Sequence, residues 1–179
     1  GTHVAGTIAA IGGNGEGVVG VYPGAPDLKI VKVFGEAGLF DDPNTWWNEA
    51  CGWTYASDLV DAVQRCVDSG AKIVSMSLGG GGPTDFEREA FQTFFDGGIL
   101  SIAAAGNDGD SSYSYPASYS SVMSVAATDI SDAKASFSQF NDEVDIAAPG
   151  VDVVSTVGPP SDTGVGPPGC DSYDGTSMA

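Results

Sequence analysis

The sequence predicts an α/β fold in which a parallel sheet carries helices on both faces, and three observations lead to it. Short, almost wholly apolar runs recur along the chain, stretches with helical spacing lie between them, and glycine stands at the boundaries. Strands that are apolar on both sides and separated by helices belong in a parallel sheet covered above and below.

The elements follow in order. Leu28 to Val33, Leu-Lys-Ile-Val-Lys-Val, reads as a first strand. Ser57 then offers a helix N-cap; Leu59, Val60, Val63 and Val67 follow at helical spacing, and Gly70 supplies the stop. Ile73 to Leu78 is the next strand. Thr84 and Glu87 form a capping box ahead of a second helix, whose buried stripe is Phe86, Ala90, Phe91 and Phe94 and whose end is Gly97-Gly98. Ile99 to Ala105 is a third strand, and Ser121 to Ala127 and Val151 to Thr156 are two more. Gly158 to Gly169, with four prolines and four glycines, reads as a surface loop. Neither a repeat nor a linker divides the chain, so one domain is expected. In open parallel sheets ligands bind at the carboxyl ends of strands, which directs attention to the segments after Leu78 and Ala105.

Composition narrows the function. Among 179 residues, 42% are apolar and 17% charged, the profile of a globular protein with a core. Six Lys and Arg stand against 24 Asp and Glu, a formal net charge of −18 that repels phosphate backbones and anionic lipid, so neither nucleic acid nor a membrane is an expected partner. No apolar run is long enough to cross a bilayer. Three cysteines, Cys51, Cys66 and Cys170, include no C-x-x-C pair, which disfavours a zinc or dithiol redox site. A Cys51–Cys66 bridge and buried free thiols are both open readings.

Four segments, in order, carry the chemistry: Gly1-Thr2-His3-Val4-Ala5-Gly6-Thr7, Ser75-Met76-Ser77-Leu78-Gly79-Gly80, Ala103-Ala104-Ala105-Gly106-Asn107-Asp108-Gly109 and Gly175-Thr176-Ser177-Met178-Ala179. Ala135-Ser136-Phe137-Ser138 and Ile146-Ala147-Ala148-Pro149-Gly150 add support. Together they resemble the subtilisin family of serine peptidases, the subtilases. The resemblance implies the family's three-layer α/β catalytic domain and a secreted, monomeric serine endopeptidase acting on polypeptides. Ser177 matches the nucleophile, a hydroxyl that needs a neighbouring base to take its proton. By the same resemblance it opens a helix. Asn107 matches the side-chain donor to the tetrahedral oxyanion, although Asn-Asp-Gly also suits an ordinary turn. Ser77-Leu78-Gly79 and Ala104-Ala105-Gly106 match the two walls of the pocket for the substrate residue before the scissile bond. Asp108 could stand at its rim, and Gly52-Trp53-Thr54-Tyr55 could form a second peptide-binding edge. Tyr115-Pro116 matches a cis peptide position.

Two attractive assignments fail on motif order. The family pattern is His-Gly-Thr-His with the first histidine catalytic, so His3, the only histidine here, matches the second and structural one. Asp68-Ser69-Gly70 imitates the motif around the catalytic aspartate, but the triad runs Asp, His, Ser along the chain, and Asp68 lies on the wrong side of the histidine motif. The sequence therefore reads as the central and C-terminal part of one catalytic domain, with the base and its orienting acid upstream of Gly1 and with no activity expected of these residues alone. No cofactor is needed for the chemistry. Structural calcium is held by many subtilases in a loop like Ile11 to Gly17, where Asn14 would be a ligand. A catalytically dead peptide-binding domain is the alternative. An α/β-hydrolase esterase is disfavoured because Ala179 fills the last place of Gly-x-Ser-x-Gly.

Overall fold

The structure, a computed structural model, describes residues 1–24, 26–33, 56–158 and 169–179. Its centre is a four-stranded, all-parallel sheet in the order β1 (Ile73–Met76), β2 (Leu100–Ala104), β3 (Val122–Thr128), β4 (Ile146–Pro149). Helices α2 (Ala56–Asp68) and α3 (Asp85–Asp96) cover one face: Leu59, Val63, Phe91 and Phe94 pack on Val74, Met76, Ala103 and Val122. Phe91 is completely buried, which contributes roughly 2–3 kcal/mol of transfer free energy. On the opposite face stands α1 (Thr2–Ala9), whose Val4, Thr7 and Ile8 share a cavity with Ser75 and Ile102. Helix, sheet, helix are the three layers expected.

The differences from the sequence reading are local and have causes. Leu28–Val33 has no strand partner among the described residues; Ile30 and the lysines face outward, and without a ladder an apolar run is only an extended segment. Ser57 lies inside the first turn of α2, not at its cap, whereas Gly70 ends the helix as expected, with φ of +93° and its N–H on Val67 O. Along α3 the stripe holds at Phe91 and Phe94 but not at Phe86, which is 57% exposed while Glu87 is 4% exposed. Glu87 can be inside because the Tyr119 hydroxyl donates to its Oε2 at 2.8 Å. The same hydroxyl accepts the Thr84 N–H at 3.0 Å, so half of the capping box is relayed through a tyrosine; the other half, Glu87 N–H to Thr84 Oγ1, is direct at 3.1 Å.

The predicted strand at 151–156 is displaced into β5 (Val153–Val157), which leaves the parallel sheet and pairs antiparallel with β6 (Gly169–Tyr173), a strand with no prediction. Its place in the main sheet is taken by β4. Most of the loop between β5 and β6, residues 159–168, lies outside the described residues.

Candidate active site

Strand β1 ends at Met76, which is in register with Ala103 of β2, so the chain leaves the sheet after Met76 and, one residue further along the neighbouring strand, after Ala104. Beyond β2, Ala105 N–H still reaches Val125 O, and then Gly106, at φ of +114°, turns the chain and presents Asn107 at the surface. A left-handed conformation there requires glycine.

The segment bearing Ser177 arrives from β6 and docks in this opening. Gly175 N–H donates to Gly150 O at 2.8 Å, and a Cβ on Gly150 would stand 2.7 Å from Gly175 O, so the glycine that ends the Ile146–Gly150 motif is what lets the two backbones meet. Residues 176–178 form a turn, with Met178 N–H on Gly175 O. Ser77 Oγ donates to Ser177 O at 2.9 Å, and Ser177 Oγ lies 3.4 Å from Ser77 O, a long contact that leaves the hydroxyl available.

Thr176, 2% exposed, ties this turn to the β2 loop. Its N–H and its Oγ1–H both donate to Asn107 Oδ1 at 2.9 Å, while Oγ1 accepts the Gly106 N–H at 3.2 Å. A backbone N–H can only donate, so Asn107 must turn its oxygen toward Thr176 and its Nδ2 away. A Cβ added to Gly175 would sit 3.6 Å from Ser177 N and 3.9 Å from Asn107 Nδ2. Met178 Sδ stands nearer, at 3.4 Å, so the Ser177 backbone nitrogen and the Asn107 amide nitrogen border the same face of Gly175 beside the methionine sulfur. Thr176 thus joins the Ser177 turn to the Asn107 loop, and its place before the serine is the signal of it in the sequence.

The model of the subtilase family matches residues 1–179. The chain belongs to the subtilases. It is 40% identical to Subtilisin BL of Lederbergia lenta over 179 residues, all of this chain and 58% of that protein, and 39% identical to Thermitase of Thermoactinomyces vulgaris, of which it covers 56%. It therefore spans less than two thirds of these relatives. Among solved structures, a psychrophilic subtilisin-like protease from the Antarctic Pseudoalteromonas sp. AS-11 superposes with a TM-score of 0.70 at 55% identity, covering 87% of this chain and 33% of that one. The prenylagaramide maturation protease PagA superposes with a TM-score of 0.76 at 30% identity over 100% of this chain and 58% of its own.

A cavity of about 70 Å³ beneath the serine is lined by Ser77, Ala104, Thr176 and Ser177, among others. Of the six predicted wall residues only Ser77 and Ala104 reach it; Leu78 packs against the hydrophobic core, and Ala105 is buried. Gly79 backs onto the loop that follows β2: a Cβ there would be 2.7 Å from Ser114 Oγ. That loop contains the expected cis Tyr115-Pro116 bond, and Tyr115 O accepts the Gly80 N–H at 3.0 Å. Asp108 is exposed, and residues 52–55, the expected second edge, lie outside the described residues.

His3 is 4% exposed. Its Nε2 lies 3.0 Å from Val153 O and 3.3 Å from Asp171 O, and its ring stacks on Tyr173 at 4.6 Å. It pins α1 to the β5–β6 hairpin, the structural part its motif position suggested. Asp68 is exposed at the end of α2, bonded to Gln64 of the same helix. Asn14 Oδ1 accepts the Glu16 N–H at 3.0 Å within its own turn. Among the described residues no three His, Cys, Asp or Glu side chains are grouped as a metal cluster, and no helix is long and apolar enough to cross a membrane. Cys66 and Cys170 are free thiols, and burial pushes the Cys66 thiol above its ordinary pKa; Cys51 lies outside the described residues.

Proposed function

We propose that the protein carrying this chain is a secreted serine endopeptidase in which Ser177 is the nucleophile and Asn107 an oxyanion donor. One observation carries the reading: Thr176 N–H and Oγ1–H hold Asn107 Oδ1, so that Asn107 Nδ2 borders the same space over Gly175 as the Ser177 backbone nitrogen. Attack of Ser177 Oγ on a peptide carbonyl carbon would send the carbonyl oxygen, now bearing negative charge, into that space. Donors already held in position strengthen their bonds as charge develops and need no reorganisation. The Oγ proton passes to a base and then to the leaving amine, and water hydrolyses the acyl-enzyme.

The base is not His3, whose Nε2 is committed to the carbonyls of Val153 and Asp171. In this proposal the base and its orienting carboxylate come from outside these 179 residues, and the chain by itself hydrolyses nothing. The segments Ser77–Gly79 and Ala104–Gly106 wall the pocket for the substrate residue before the scissile bond, and the peptide backbone pairs with these segments as they leave β1 and β2. Structural calcium at the Asn14 loop belongs to the same proposal: the second lone pair of the Asn14 carboxamide oxygen would serve as a ligand, and the ion would take no part in the chemistry.

The test is labelling of the full-length protein with a fluorophosphonate, followed by mapping of the modified residue. Modification of Ser177, lost in Ser177→Ala together with hydrolysis of a peptide anilide, is the expected result. A folded preparation that binds peptides but leaves Ser177 unmodified would replace this reading with that of a catalytically dead binding domain.

A further inference from the structure

Gln139 is buried, with 1% of its surface exposed, and lies in the stretch that follows the Ala135–Ser138 motif. Nothing in a single sequence calls for a glutamine there, and burying a carboxamide is costly unless its polar atoms are used. Its Nε2 donates to Ser112 O at 2.8 Å and to Ser112 Oγ at 3.0 Å. Because a carbonyl can only accept, the amide must present nitrogen to Ser112, which leaves Oε1 facing the other way, against Gly106. The approach is so close that a Cβ on Gly106 would fall 1.5 Å from Oε1. The backbone of the same residue donates its N–H to Gly106 O at 3.0 Å.

Gly106 is thus held on three sides: its carbonyl by Gln139 N–H, its open Cα face by the Gln139 carboxamide, and its N–H by Thr176 Oγ1. Thr176 Oγ1 in turn donates to Asn107 Oδ1. Neighbouring bonds brace the rest of the loop from the same side, with Phe140 N–H on Asp110 O at 3.0 Å and Asn141 Nδ2 on Ser112 O at 2.9 Å. We infer that Gln139 is a positioning residue for the oxyanion donor, acting through Gly106 and Thr176 to hold the Asn107 amide at its working angle.

The inference rests on the proposed peptidase activity, and the experiment separates the two. Gln139→Met and Asn107→Leu are made singly and together in the full-length protein, with active-site titration to count folded enzyme and a denaturation midpoint for each variant. Gln139→Met is expected to lower kcat about tenfold per titrated site, the worth of roughly one well-placed hydrogen bond, with KM within about twofold across substrates differing in the residue before the scissile bond. In the Asn107→Leu background the same substitution should change kcat less than about twofold, because the group it positions is gone. Equal factors in both backgrounds, an unchanged kcat, or a loss confined to KM that grows with substrate side-chain size would each overturn the inference while leaving the peptidase reading intact. A wild-type protein with no hydrolytic activity would instead remove the reading beneath it.

Discussion

Replacing Tyr119 with phenylalanine isolates what one hydroxyl does for the start of α3. The ring would keep its packing between Phe91 and Tyr115, at centroid distances of 6.1 and 4.7 Å, so the change is confined to the oxygen. That oxygen serves two groups, the Thr84 N–H at 3.0 Å and the Glu87 carboxylate at 2.8 Å. A neutral bond is worth about 1 kcal/mol and one to a buried charge about 1.5–3, so Tyr119→Phe should destabilise by about 3 kcal/mol near pH 7. Burial already lifts the Glu87 carboxyl above its ordinary value of 4.5, and the tyrosine bond opposes that lift. Removing the bond raises the folded-state pKa further. A carboxyl with a raised folded pKa binds its proton more tightly folded than unfolded, so its contribution to stability is full below pH 4.5 and is lost as the pH rises through the folded value. The penalty of Tyr119→Phe should therefore shrink to about 2 kcal/mol at pH 4, where Glu87 is mostly protonated in both states and the two bonds lost are neutral ones. Urea unfolding of the full-length protein and the variant at pH 4 and pH 7 measures both numbers. A penalty that is the same at the two pH values, or that is larger at pH 4, would show that Glu87 is not ionised against the Tyr119 hydroxyl.

Three further outcomes are expected. Glu87→Gln keeps an acceptor for the Tyr119 hydroxyl without a charge, so it should raise stability by about 1 kcal/mol at pH 7 and give no gain below pH 4.5, read from the same urea curves. Gly106→Ala adds a Cβ 1.5 Å from Gln139 Oε1 at φ of +114°, and should cost at least about 2 kcal/mol and lower kcat through the displaced Asn107; an alanine variant with unchanged melting and kinetics would contradict the packing described. His3→Phe retains a ring against Tyr173 but removes the donor to Val153 O and Asp171 O, at a cost of about 1–3 kcal/mol, and amide hydrogen exchange in β5 and β6 should accelerate.

The parts of this fold that were legible in the sequence are those in which local pattern and final environment agree. The runs that became β1, β2 and β3 are apolar because both faces of their sheet are covered, and Phe91 and Phe94 are spaced for one face of a helix. Phe86 satisfied the same periodicity and came out exposed, because a tyrosine 33 positions further along supplies a hydroxyl that makes Glu87 the better interior residue. No helical window contains that partner. Leu28–Val33 failed as a strand for the converse reason: its residues suit a ladder, but a ladder needs a second strand, and apolar composition cannot say whether one stands beside it.

The site shows the same division between chemistry that lies in a motif and chemistry that lies between motifs. Ser177 and Asn107 were identifiable because each sits in a short segment with a family pattern, although 70 residues separate them. Thr176 and Gln139 were not, and both are buried polar side chains whose partners are backbone atoms or another side chain of distant loops. Such residues leave little trace in composition or spacing, since their requirement is geometric: one must accept from Gly106 N–H while donating to Asn107, the other must fit the face of Gly106 where no Cβ exists. The glycine is the visible end of that requirement. At φ of +114° it is the only residue that can turn the chain after β2 without strain, and its missing side chain is the space the Gln139 carboxamide fills. The angle of the Asn107 carboxamide is therefore set by a residue 32 positions away through a residue with no side chain, which is why Asn107 could be singled out from the sequence while what holds it could not.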